Sequence, residues 1–152
     1  MDRRQLLGAG AALAAVPVLN RDALAQEPQL NGRVILITGA SSGFGYVSAL
    51  HFARRGAKVI ASMRGLPRRE ATQLLEEAKK ESLDISVVEI DVTSDASVSA
   101  GVTEALKLGG GRIDVLMNNA GIGITGPAEV QDMAATQLIF DTNVFGCHRM
   151  VC

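Results

Sequence analysis

Thr38-Gly39-Ala40-Ser41-Ser42-Gly43-Phe44-Gly45 follows the apolar run Val34-Ile35-Leu36-Ile37 and leads into a segment of helical character. A strand that ends in a glycine-rich turn and opens a helix is how a dinucleotide-binding βαβ unit begins. Glycine lets such a turn form and lets the backbone approach a pyrophosphate, whose charge then faces the helix N-terminus. Read alone, the same turn also serves as a plain strand-to-helix connection with no ligand.

The pattern repeats outward from this turn. Residues 33–37 read as the first strand, its Val34 to Ile37 a continuous apolar run, as a strand buried on both faces requires, and residues 43–55 read as a helix stopped by Gly56. A second strand spans 58–62, and Pro67 suits the start of a charged amphipathic helix over 69–81. The third strand covers 85–90; Ser94 is a plausible N-cap for a helix that runs to 108 and is stopped by Gly109-Gly110-Gly111. The fourth strand is 113–117, and one or two helices occupy the chain from about residue 128. Strands and helices alternate, which predicts an α/β fold: a parallel sheet with helices on both faces. Right-handed crossovers order the first strands 3-2-1 and set the fourth beside the first, giving 3-2-1-4. Ligand then lies across the carboxyl ends, at the switch point between strands one and four.

At 152 residues the chain makes one domain. A formal charge of -1 gives no electrostatic case for nucleic acid or an anionic membrane. Cys147 and Cys152 fall on different faces of a helix and in no metal-ligand spacing, so both read as small, partly buried packing residues. His51 and His148 have no metal-ligand or Ser/Asp partner pattern.

The first 25 residues read as an address rather than as fold. Arg3-Arg4 precede an apolar stretch over 6–19 that is rich in Gly and Ala and broken by Pro17, and Ala23-Leu24-Ala25 supplies small residues for a signal peptidase. The run is too short for a membrane span, and Asp2-Arg3-Arg4-Gln5-Leu6-Leu7 is similar to a twin-arginine export signal. Cleavage after Ala25, with residues 26–152 in the periplasm, is the expectation; an uncleaved peripheral tail on a cytoplasmic protein is the alternative.

The spacing T-G-x-x-x-G-x-G, with Asn118-Asn119-Ala120-Gly121 after the fourth strand, resembles the short-chain dehydrogenase/reductase family. The resemblance implies a Rossmann-like domain over 26–152, C-terminally incomplete, in an NAD(P)-dependent oxidoreductase. The activity implied is hydride transfer between the cofactor and a small alcohol or carbonyl substrate. It makes Gly39, Gly43 and Gly45 the phosphate-turn glycines and carries Ser41, Ser42 and Phe44 with them. The pair Asp91-Val92 meets the adenine ring; without the family, Asp91 reads equally as a residue near a helix start beside Thr93 and Ser94. Asn119, Ala120 and Gly121 line the cofactor and stabilise the sheet, and Asn143, in Thr142-Asn143-Val144-Phe145-Gly146, matches the asparagine of the family's catalytic tetrad. A lone helical asparagine otherwise bonds its local backbone.

Cofactor choice turns on the end of the second strand, where an acid marks NAD. Met63 and Arg64 stand there, so no carboxylate repels a 2′-phosphate and a guanidinium is at hand, which favours NADP. Arg64 as a solvated loop charge is the alternative, and Ser42, where some NADP-preferring relatives are basic, does not add to the case.

The family's chemistry also needs a Ser and a Y-x-x-x-K helix beyond the tetrad asparagine. The single tyrosine is Tyr46, with Leu50 four residues on, so it does not match that motif. The expectation is therefore a cofactor-binding portion of an enzyme that forms homo-oligomers when complete, with a fourth strand at an open edge and Leu138, Ile139, Phe140 and Val144 short of cover. A non-catalytic nucleotide-binding module, or an inactive truncated product, is the alternative.

Overall fold

Strand β1 (Val34–Ile37) is buried at every position, and its neighbours explain why. It pairs in parallel with β2 (Lys58–Met63) on one side, Leu36 opposite Ile60, and with β4 (Val115–Met117) on the other, Leu36 opposite Leu116. Strand β3 (Ile85–Glu89) adds to β2, giving the sheet order β3-β2-β1-β4. The computed structural model describes residues 29–152, so the expected export leader lies outside the described residues. No helix among them is long and apolar enough to cross a membrane, and no cluster of His, Cys, Asp or Glu among them is suited to a metal.

Alternation along β1 divides the core into two layers. Ile35 and Ile37 face α1 (Gly43–Arg54) and α2 (Arg69–Lys80), where Ala49, Leu50, Ala53, Ala71, Leu74 and Ala78 are buried. Val34 and Leu36 face α3 (Asp95–Leu108), with Val98 and Ala105, and the C-terminal Met150. The stripe Ala71, Leu74 and Ala78 has helical spacing; burial of Leu74 alone contributes roughly 2 kcal/mol.

Helix ends follow local chemistry. Gly56, at φ +88°, supplies the left-handed turn after α1, and the Ser94 hydroxyl caps α3 by accepting from Ser97 N–H at 3.3 Å. Helix α2 begins at Arg69, with Arg68 as its extended N-cap. Pro67 therefore precedes the helix rather than opening it. The fourth strand is shorter than the apolar run predicts, three residues long, because β1 pairs with it only at Ile35, Leu36 and Ile37.

Beyond β4, a short 3-10 turn (Ala128–Val130) precedes α4 (Met133–Phe140), a π-helical turn (Asp141–Phe145) and α5 (Gly146–Arg149). Backbone angles stay helical at Phe140, Phe145 and Gly146, so these three segments form one bulged helix. None of the α4 residues is buried; Leu138, Phe140 and Val144 are about half exposed, while Ile139 is partly covered. Cys152 is exposed rather than partly buried, because it lies beyond the end of α5 at Arg149, with its sulfur 3.4 Å from the His148 ring.

Candidate functional site

A cavity of about 400 Å³ opens at the carboxyl ends of the strands, over the gap between β1 and β4. Thr38, the residue directly after β1, braces it from behind. Its buried hydroxyl accepts from the N–H groups of Asn119 and Ala120, both at 3.0 Å. The same oxygen lies 3.4 Å from the Met117 carbonyl and donates to it. In return, Asn119 Nδ2 donates to the carbonyls of Thr38 (2.9 Å) and Gly39 (3.1 Å). The turn after β1 and the segment after β4 are thus stitched together across the switch point.

Two glycines make this stitching possible. Gly39 has φ +68°, and a Cβ there would sit 2.6 Å from Ala120 Cα. A Cβ on Gly45 would sit 2.5 Å from Asn119 Nδ2 and 2.6 Å from the Gly39 carbonyl. The first turn of α1 carries no acidic residue, and the Ser42 hydroxyl makes no cap bond to it. Its N–H groups are therefore left without a side-chain acceptor beside a cavity lined by Gly39, Ser41, Ser42 and Phe44. Gly43 and Gly45 shape this mouth from behind and do not line it.

The far wall comes from β2 and β3. Met63 is buried, Arg64 is exposed at the rim, and both line the cavity together with Asp91 and Val92. One oxygen of Asp91 accepts from the Thr93 N–H (3.0 Å) and hydroxyl (2.7 Å). These bonds hold the carboxyl below the ordinary aspartate range, with partial burial opposing and Arg64 and Arg149 assisting. Both readings of Asp91 meet here, since it organises the approach to α3 and also faces the cavity.

Asn119, Ala120 and Gly121 line the opposite wall, but Asn143 stands behind it. Its side-chain amide grips Ile122, accepting from the N–H at 2.9 Å and donating to the carbonyl at 2.8 Å. Its neighbour Thr142, on the same π turn, reaches the cavity. Such turns concentrate at functional sites, because the extra residue re-aims side chains. Arg149 ties this turn to the wall that carries Asp91 and Val92: it bonds Asp141 Oδ1 (2.7 Å), Asp95 Oδ1 (2.7 Å) and the Val92 carbonyl (3.2 Å).

Tyr46 lies elsewhere. Its phenol donates to Glu77 on α2 at 2.9 Å, on the far side of α1 from the cavity lining. Sequence reasoning passed over Thr38, Arg68, Thr142 and Arg149. Thr38 opens the quoted motif and was the one with a signal available.

The residues fit a nicotinamide dinucleotide: a helix mouth free of acids, a turn whose missing Cβ atoms leave a cradle, and two arginines, Arg64 and Arg68, in the cavity lining. Comparison with known proteins agrees. The family described as "short chain dehydrogenase" matches residues 33–152. Human (Homo sapiens) retinol dehydrogenase 8 is 42% identical over 124 residues, covering 78% of this chain and 38% of that protein. Estradiol 17-beta-dehydrogenase 1 of Rattus norvegicus is 37% identical over 131 residues, covering 80% and 36%. Among solved structures, the 3-ketoacyl-(acyl-carrier-protein) reductase from Brucella melitensis, complexed with NADH, superposes with a TM-score of 0.73 at 37% identity, covering 81% of this chain and 48% of that one. The gluconate 5-dehydrogenase from Burkholderia cenocepacia J2315, in complex with NADP and tartrate, gives 0.71 at 28% identity, covering 81% and 47%. The chain spans less than half the length of each of these relatives. With the strand order, the glycine turn and the Asn119 stitch in agreement, the chain belongs to the short-chain dehydrogenase family.

Proposed function

We propose that residues 26–152 hold NADP(H), in preference to NAD(H), as the cofactor-binding part of an oxidoreductase acting on an alcohol or carbonyl carbon. A nicotinamide dinucleotide held there supplies the hydride donor or acceptor. Gly39, Gly43 and Gly45 admit the pyrophosphate to the mouth of α1, where Ser41, Ser42 and Phe44 flank it. Asp91 and Val92 border the adenine, and Asn119, Ala120 and Gly121 border the nicotinamide half. Asn143 acts as a positioning residue through Ile122, at the tetrad position. Export through the twin-arginine leader completes the reading and puts the protein in the periplasm.

One observation carries the preference for NADP: the rim at the end of β2 offers Arg64, while the strand's last residue is the buried, uncharged Met63. An NAD site of this fold places a carboxylate there to bind ribose hydroxyls. Relatives of this chain have been solved with NADH and with NADP, so the preference belongs to this chain's own rim. Titration of the 152-residue chain with NADP+ and NAD+ tests it. NADP+ is expected to bind at least about tenfold tighter, the effect of one charge-assisted contact. Equal affinities refute the preference, and binding of neither cofactor refutes the site.

A second reading, binding without turnover by this chain itself, is favoured by Tyr46, whose phenol is committed to Glu77 away from the cavity. NADPH should bind without being consumed when a panel of ketones and aldehydes is added. Steady loss of nicotinamide absorbance would sink that reading.

A further inference from the structure

We infer that Arg68 is a second specificity-determining residue of the nucleotide site and contacts, beside Arg64, the phosphate on the adenine ribose of NADP. The inference rests on the NADP reading above and extends it to a residue outside the sequence motifs.

Arg64 and Arg68 bracket the loop between β2 and α2, and both line the cavity. The backbone at Arg68 is extended (φ −144°, ψ 154°), immediately before the first turn of α2. From there the side chain folds back over its own loop. Nε donates to Glu70 Oε2 at 2.9 Å, and Nη1 donates to the Arg64 carbonyl at 3.1 Å. These two bonds fix the plane of the guanidinium, while the remaining N–H donors have no partner among the described residues. The side chain is 29% exposed, which suits a group that is held by the loop yet reachable from the cavity. Arg68 is thus ordered before any ligand arrives, whereas Arg64 is an exposed rim charge.

Carboxylates are the natural competitors of a phosphate for these guanidinium groups. Glu70 takes one edge of Arg68, through Nε, and leaves the Nη2 donors open to a ligand, while Glu89 accepts from Gly65 N–H at 3.2 Å. Asp91, the carboxylate that lines the cavity, is bonded to Thr93. A dianionic phosphate between the two arginines meets donors on both sides, whereas a ribose hydroxyl gains little from either. A bare loop staple, Arg68 to Glu70, is the competing account. It differs in one measurable respect, since a staple supports NAD and NADP binding equally.

The test is titration of the full 152-residue chain and its Arg64→Met, Arg68→Met and Glu70→Gln variants with NADP+ and NAD+. Arg68→Met is expected to weaken NADP+ about tenfold and NAD+ less than about twofold. Glu70→Gln is expected to shift NADP+ in the same direction and by less, because it loosens the guanidinium without removing it. NAD+ affinity reports the integrity of each variant, and Arg68→Gln serves in place of Arg68→Met should the latter not fold. Equal losses for both cofactors, or no loss for NADP+, overturn the inference. If the wild-type chain prefers NADP+ and only Arg64→Met abolishes the preference, the NADP reading stands and the role of Arg68 falls. If the wild-type chain shows no preference, both fall together.

Discussion

Replacing Thr38 by Val should destabilise the fold by about 2 kcal/mol, because valine keeps the shape and removes only the hydroxyl. Thr38 is 1% exposed, and its oxygen accepts two backbone N–H bonds at 3.0 Å, from Asn119 and Ala120. Each such bond contributes roughly 1 kcal/mol net, and the longer donation to Met117 adds little. Asn119 and Ala120 are half-buried, so water can reach their freed N–H groups and keeps the cost from climbing further. Thr38→Ser is the control, since it keeps the hydroxyl and loses a buried methyl worth about 1 kcal/mol. The assay is urea and thermal unfolding of the three chains, for which 1 kcal/mol corresponds to about 4 °C in midpoint at this size. Valine should therefore lower the midpoint by about 8 °C and serine by about 4 °C. A valine variant no less stable than the serine variant would refute the assignment of this hydroxyl as the stitch between β1 and β4.

Three further outcomes follow from the same geometry. Gly45→Ala puts a methyl 2.5 Å from Asn119 Nδ2, so NADP+ affinity should fall about tenfold or more while overpacking costs about 1–3 kcal/mol; wild-type affinity in a titration would contradict the cradle. Tyr46 is the single tyrosine and the chain has no tryptophan, so phenolate absorbance reads it alone. Burial, with Glu77 assisting, raises its pKa; the native titration midpoint should exceed the unfolded value of about 10, the bond's contribution fading as pH rises through the native midpoint, and Tyr46→Phe should leave NADP+ binding intact. Asp91 is shifted the other way by Thr93, so its contribution is complete above the unfolded pKa of about 4 and is lost as pH falls through the lower native value. The stability gap between wild type and Asp91→Asn should accordingly close in acid; a gap that widens below pH of about 3 would count against the Thr93 bonds.

Much of the fold was legible because its signals are local or follow from handedness. The run Val34 to Ile37 announced a strand covered on both faces, and Ile35 and Leu36 indeed pack into opposite layers. Ser94 announced its helix by a cap formed three residues along the chain. The strand order followed from crossover handedness alone. Partnerships across long stretches of chain were not legible. The Thr38 hydroxyl acts on groups some eighty residues away, and nothing beside it in the sequence says so. The π turn at Asp141–Phe145 has an apolar pattern close to that of an ordinary helix, so the redirection of Thr142 and Asn143 left no periodic trace. Arg68 sits on a loop whose path depends on Glu70 and Arg64, and its side chain could not be aimed from composition.

Asn119 has an effect beyond joining two strands. The carbonyls of Thr38 and Gly39 lie beside the entrance to α1, and their oxygens carry partial negative charge that an arriving anion would feel. The Asn119 amide donates to both, at 2.9 and 3.1 Å, so each oxygen turns part of its field inward to a neutral side chain. Two acceptors at the entrance are thereby occupied from the protein side, while the first N–H groups of α1 have no side-chain acceptor. An uncharged residue then helps set the sign of the local potential, which favours anions before any cation takes part.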